Sequence, residues 1–179
     1  MTTIRCTFWG RLDQGKWADL MIDCLPQFLS QNNLHDWEFH IFGSGYYEDQ
    51  LQILSQQYSQ LIIHWRSSRD QIKTVAQSWQ YCLCPSTFLE TFGMSALEGC
   101  KLWLPVIWPD KWWLQQFSIQ NLIWLWESWE NNSQWLLMQL CYLDVRHDEL
   151  YEGRKNETLN IGSQYGSSIR LNTINKLII

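Results

Sequence analysis

The stretch "YCLCPSTFLETFGMSALEG", residues 81–99, runs from an almost wholly apolar segment through a Pro-Ser turn into a pattern that continues as a helix. A segment as apolar as "YCLCP" reads as a central strand of a parallel sheet, covered on both faces. A helix over residues 92–102 then offers the backbone N–H groups of Gly93, Met94 and Ser95 in its first turn, where they lack intrahelical acceptors and favour an anion. Glu90 stands just before that helix and Glu98 about two turns along it, so two carboxylates flank the place where the anion would rest. Carboxylates only accept hydrogen bonds, which suits them to the paired hydroxyls of a ribose or a hexose. Taken singly, a glutamate at a helix start and another on a helix surface need no function.

Outward from this stretch, strand-like and helix-like apolar patterns alternate with a spacing of about 20 to 25 residues, the length of a strand with its returning helix. "IRCTFWG" (4–10) reads as a first strand. The helix after it carries Trp17, Leu20, Met21, Cys24, Leu25, Phe28 and Leu29 on one face, with Pro26 expected to kink it. "WEFHIFGSG" (37–45) is a strand ending in glycines, followed by a helix over 46–59. "LIIHW" (61–65) passes through the polar turn "RSSRD" into a short helix over 71–79, for which Asp70 is the expected cap. "PVIWP" (105–109) and "NLIWLW" (121–126) read as fifth and sixth strands, and "SQWLLMQLCYL" (133–143) as an amphipathic helix. Residues 146–168 lose apolar density and gain Gly, Ser and Asn, which predicts a loop, while 169–179 is apolar enough to dock as a terminal helix or strand. The pattern predicts a single doubly wound, mainly parallel α/β sheet, with a core over about 4–145 and a loop and terminal segment over 146–179.

The 179 residues suffice for one well-buried domain. Thirteen Lys and Arg against eighteen Asp and Glu give a net charge of −5, which argues against a nucleic-acid partner. No window reaches the roughly 20 apolar residues of a membrane span, and the N-terminus lacks the apolar stretch of a signal peptide. A cytoplasmic protein is expected, at most peripheral at the inner face of the membrane. Six cysteines, at 6, 24, 82, 84, 100 and 141, form no Cys-x-x-Cys pair, and most lie within apolar runs, where a reduced thiol packs as a small hydrophobe. Cys82 and Cys84 share one strand face and could be drawn together with His64 as metal ligands, but core packing is the preferred reading. Asn131 and Asn156 open glycosylation-type triplets that chance explains.

In an open parallel sheet, ligands bind beyond the carboxyl ends of the strands. "GRLDQGK" (10–16) follows the first strand, and there Arg11 and Lys16 could reach one anionic group, the first as a fork and the second as a point charge. Taken alone, the segment is read in preference as a solvated turn with two surface cations. "GSG" (43–45) permits close approach of a phosphate, but a plain turn is favoured.

Order and spacing together carry more than any one piece. Over residues 4–130 or so, the chain resembles the C-terminal, donor-binding domain of the retaining GT-B glycosyltransferases of group 1, a Rossmann-like half of that fold. "PSTFLETFGMSALEG" followed by "LPVI" looks like the family's Glu-x7-Glu motif, "FWGRLDQGK" like its Gly-Arg-Leu segment ending in Lys, and "FHIFGSG" like its second-strand glycine turn. The resemblance implies a nucleotide-sugar donor and no cofactor or metal. Arg11 and Lys16 would neutralise the donor diphosphate, the leaving group, and Gly93, Met94 and Ser95 would give it backbone hydrogen bonds. Glu90 would be the catalytic residue that holds the transferred sugar, Glu98 would bind the ribose, and Ser67 lies in the nucleobase loop. The acceptor implied is a glycan or a lipid-linked sugar, as in polysaccharide biosynthesis. Because no second α/β domain precedes "TFWGRL", an acceptor-binding domain or subunit is also implied.

The chain departs from the family in its thirteen tryptophans. Trp17, Trp103, Trp112 and Trp113 stand where the family has glycine, and three readings stay open: cover for apolar surface, an aromatic platform for sugar or base, or a degenerate copy. The alternative function is a non-catalytic nucleotide-sugar binding module or a glycosyltransferase remnant. A sugar-nucleotide epimerase of similar architecture is disfavoured by the Glu-x7-Glu pattern.

Overall fold

Alternating burial along the first strand separates the two faces of the sheet. β1 (Thr3–Arg11) turns Ile4, Cys6 and Phe8 to one face and Arg5, Thr7 and Trp9 to the other. The computed structural model describes residues 3–14, 16, 18–76, 78–84, 95, 98, 99, 102, 104–107 and 133–164. In it β1 is joined by β2 (Asp36–Ser44), β3 (Leu61–Trp65), β4 (Tyr81–Leu83) and β5 (Val106–Ile107) in one sheet of order β3-β2-β1-β4-β5. Every pairing is parallel. The order steps outward from β1 to β2 and β3, then reverses to β4 and β5, which makes the doubly wound sheet and places a crevice at the carboxyl ends of β1 and β4. The sixth strand expected over 121–126 and the terminal element over 169–179 lie outside the described residues.

The Ile4 face is buried by helices. α1 (Ala18–Leu29) covers it with Ala18, Met21, Cys24, Leu25 and Phe28, and α2 (Glu48–Gln57) adds Leu51 and Leu54. Pro26 sits in the last turn of α1, and the helix continues past it to Leu29. The ring of Phe28 meets those of Trp37 and Phe39 edge-on, with centroids 5.2 and 6.0 Å away. α3 (Arg69–Ala76) follows β3. Its cap is Ser68 and not the expected Asp70: Gln71 N–H donates to Ser68 Oγ at 3.3 Å, and Ser68 N–H donates to Gln71 Oε1 at 2.7 Å. This reciprocal pair satisfies two end donors at once, whereas Asp70 already lies inside the helix, two residues past the cap position.

α4 (Ser133–Gln164) corrects the loop expected from residue 146 onward, for the helix runs unbroken to Gln164. Trp135, Leu136, Leu140 and Leu143 bury its apolar face in the same core as Ile4 and Phe28. That face continues through residues that a hydropathy reading scores as polar. The His147 ring is buried and stacks on Tyr151, and His147 Nδ1 lies 3.0 Å from the hydroxyl of the fully buried Tyr81. Asp144 is buried too. Its carboxylate accepts from the amides of Leu34 at 2.6 Å and His35 at 3.1 Å and from the Trp37 indole at 2.7 Å, tying α4 to the connection between α1 and β2. No helix among the described residues is long and apolar enough to cross a membrane.

Candidate functional site

The exits of β1 and β2 are fastened to each other. Gly10 and Gly43 are register partners with φ of +157° and +152°, and a Cβ on Gly43 would stand 1.9 Å from the Gly10 carbonyl oxygen. Only glycine fits there. Beyond that pair, Leu12 N–H donates to Ser44 O and Tyr47 N–H to Leu12 O, each at 3.0 Å. Asp13 Oδ1 accepts from the Tyr46 amide at 2.9 Å, and Glu48 Oε1 from the Gly45 amide at 2.7 Å. The glycine turn that opens α2 is therefore already filled by two carboxylates of the chain itself. It is a plain turn, as the sequence favours, because a phosphate there would have to displace both.

Arg11 ends β1, and Lys16 follows in a turn closed by its own N–H donating to Asp13 O at 3.0 Å. The Arg11 guanidinium is 81% exposed and pairs with Asp13 Oδ2 at 2.5 Å. The Tyr46 amide holds the Asp13 carboxyl below its usual range; desolvation opposes it, and Arg11 adds to the lowering. Asp13 thus links the phosphate-binding candidate to the α2 turn, a role that no spacing rule reveals.

Glu98 comes to the same edge from the other side of β1. Ser95, Glu98 and Gly99 are helical, and Leu102 N–H donates to Glu98 O and Gly99 O at 3.1 and 3.0 Å to close the turn. This helix lies hard against the sheet: a Cβ on Gly99 would meet Val106 Cγ2 at 2.9 Å and Cys82 Sγ at 3.1 Å. Close seating on β4 and β5 brings Glu98 over β1, where the Trp9 indole N–H donates to Glu98 Oε2 at 3.2 Å. Ser95 is half-buried. Glu90, Gly93 and Met94 lie outside the described residues, as do Trp17, Trp103, Trp112 and Trp113.

Ser67 is half-buried at the exit of β3, behind Arg66, whose φ of +52° turns the chain toward α3. From Glu98 toward this turn the sheet carries one row of rings. Trp9 is in register with Phe42, and Phe42 with His64, on three adjacent strands. His64 stacks on Phe42 at 4.2 Å, and Trp79 packs on Phe42 at 5.3 Å. Burial lowers the pKa of His64, and burial with the neighbouring His64 lowers that of His40, whose Nδ1 is 3.0 Å from His64 Nε2. Cys82 and Cys84 do share a face, with sulfurs 3.3 Å apart in a buried setting. Among the described residues no group of three or more His, Cys, Asp or Glu could hold a metal ion.

An open, wholly parallel sheet of this order defines a Rossmann-like α/β domain. Residues 2–111 match the family described as glycosyl transferases group 1, and the chain belongs to that family. No curated protein matches it. Among solved structures it is similar to the C-terminal domain of a glycosyl transferase group 1 family protein (LpcC) from Francisella tularensis, with a TM-score of 0.70 and 19% identity, covering 90% of this chain and 85% of that one. It is also similar to the pneumococcal O-GlcNAc transferase GtfA in complex with UDP and GlcNAc, with a TM-score of 0.72 and 18% identity over 98% of this chain and 35% of that one. For Anabaena Alr3699/HepE in complex with UDP and glucose the values are 0.71 and 16%, over 98% of this chain and 48% of that one. The chain thus spans about a third of the pneumococcal enzyme and about half of the Anabaena protein.

Proposed function

We propose that this domain binds a nucleoside-diphosphate sugar and serves its transfer, with retention of anomeric configuration, to a glycan or lipid-linked acceptor. Arg11 and Lys16 neutralise the diphosphate, with backbone N–H groups of Gly93, Met94 and Ser95 as further donors. Glu98 takes the ribose hydroxyls, Glu90 holds the transferred sugar, and Ser67 faces the base. Charge builds on the leaving diphosphate as the sugar departs, so two cations there meet the electrostatic need of the reaction without a metal. Turnover requires an acceptor-binding half, in the same chain or another, in the cytoplasm or at the inner face of a membrane.

The observation that carries this reading is the convergence of Glu98 with the strand that ends in Arg11, through the Trp9 indole. A ribose acceptor and a phosphate donor then share one sheet edge. The Arg11–Asp13 pair favours a second reading, a module that binds nucleotide without turnover, because its cation starts out neutralised. Calorimetric titration with UDP, GDP and ADP tests both. Saturable binding of one diphosphate, weakened about tenfold or more in Arg11→Ala and in Glu98→Ala, supports the site, since a charge-assisted contact is worth roughly 1.5–3 kcal/mol. Lys16→Ala should also reduce the salt dependence. Equal affinity for nucleoside and nucleoside diphosphate would sink the phosphate assignment. Sugar transfer on addition of an acceptor-binding half separates the enzyme from the module.

A further inference from the structure

The geometry points to Trp9 as a positioning residue that fixes the Glu98 carboxylate and thereby sets how well the site tells a ribose from a deoxyribose. The inference rests on the ribose role proposed for Glu98. Trp9 is 8% exposed, on the central strand β1 and in register with the buried Phe42. Its indole N–H is a donor only, and once buried it needs an acceptor. Glu98 Oε2 is that acceptor, at 3.2 Å across 89 residues of sequence.

A glutamate on a helix surface has three side-chain torsions to lose when it binds a diol. An oxygen already held by a rigid, two-torsion indole has lost much of that freedom before the ligand arrives, and affinity gained this way comes from preorganisation and not from a new contact. Trp9 also stands two residues before Arg11 on one strand. Ribose acceptor and phosphate donor are therefore referenced to the same backbone segment. A carboxylate so oriented discriminates by the 2′-hydroxyl: a ligand lacking it leaves a fixed acceptor unfilled, whereas a loose glutamate would turn away to water.

The test compares UDP with 2′-deoxy-UDP by calorimetry on the full chain, and reads the ratio of their dissociation constants. Trp9→Phe keeps a ring in place and removes the N–H. The ratio is expected to fall about fivefold to tenfold, the size of one ordinary hydrogen bond of about 1 kcal/mol, and to approach one in Glu98→Ala. General damage to the fold would weaken both ligands alike and leave the ratio unmoved. Should Trp9→Phe not fold, benzothienylalanine at position 9 supplies an isostere without the donor. A ratio unchanged in either Trp9 variant but lost in Glu98→Ala overturns the positioning role and leaves the ribose role standing. A ratio that survives Glu98→Ala, or no discrimination in the unmodified chain, overturns both.

Discussion

Replacing Asp144 by alanine tests how α4 is held. Asp144 is 4% exposed, and its carboxylate accepts two hydrogen bonds from the connection between α1 and β2, at 2.6 and 3.1 Å, and one from Trp37 of β2, at 2.7 Å. Without it the Leu34 and His35 amides and the Trp37 indole N–H lose their acceptor together. A buried donor left unpaired costs about 1–3 kcal/mol. Leu34 is 57% exposed, so water can reach its amide and recover part of that loss, while Trp37, at 3%, has no such access. The expected total is about 3–5 kcal/mol, comparable with breaking a buried polar pair. For a domain with roughly 5–15 kcal/mol of stability that is a large share. With a urea m-value of about 2 kcal/mol/M, the midpoint should fall by about 1.5–2.5 M with m unchanged. Asp144→Asn keeps a carbonyl acceptor but turns an NH₂ toward the donors, and should lose about half as much. A midpoint shift below about 0.5 M for Asp144→Ala would refute the reasoning, because the apolar face of α4 alone would then account for its docking.

Gly43→Ala should cost about 3 kcal/mol or more in urea unfolding, since the added methyl would overlap the Gly10 carbonyl and φ is +152°; a loss under about 1 kcal/mol would mean that the two strand ends can part freely. Stability should also fall on acidification. His40, His64 and His147 all have lowered pKa values, first through burial, then through His64 for His40 and His35 for His147. Between the ordinary imidazole value near 6.5 and these lower folded values, the unfolded chain binds more protons, so stability is present above about pH 6.5 and is lost as pH falls through the folded values. The urea midpoint should be lower at about pH 5.5 than at about pH 7.5, by a smaller margin in His40→Gln. An equal drop in variant and parent would remove His40 from the account.

The sheet was legible because each strand is an apolar run ended by a turn, and parallel strands buried on both faces leave that mark most clearly. Glu98 could be placed on the helix that follows a central strand, and the structure puts it there, beside β1. That Trp9 would meet it could not be read, since the contact depends on how closely Gly99 lets that helix approach Cys82 and Val106. α4 was cut short at 146 for a different reason. His147 and Tyr151 continue the face of Leu143 at helical spacing, but they pack through ring stacking and the Tyr81 hydroxyl, which hydropathy does not count. Residues 133–164 contain no proline, and the Glu, Leu, Arg and Lys among them favour helix strongly enough to carry Gly153 and Gly162. Ser68 as the α3 cap was visible in the sequence "SRDQ", a Ser-x-x-Gln pattern that outranks a lone aspartate.

Under the proposed function, Asp13 and Glu48 limit where a diphosphate can go. The first amides of the α2 turn are spent on these carboxylates, so that helix end repels a phosphate instead of drawing it. On the β1 side, Arg11 can serve a phosphate only by leaving Asp13 or by sharing it. Asp13 cannot move toward solvent with Arg11, because its other oxygen holds the Tyr46 amide and its own carbonyl closes the Lys16 turn. Arg11, 81% exposed, is the partner that swings. Under the proposed function, the diphosphate then exchanges one anion for another at the guanidinium, so charge alone gains little there. What the exchange adds is geometric: two phosphate oxygens matched to the guanidinium fork, in place of one carboxylate oxygen. Under that function, an arginine so placed is a gate on donor shape more than a source of attraction.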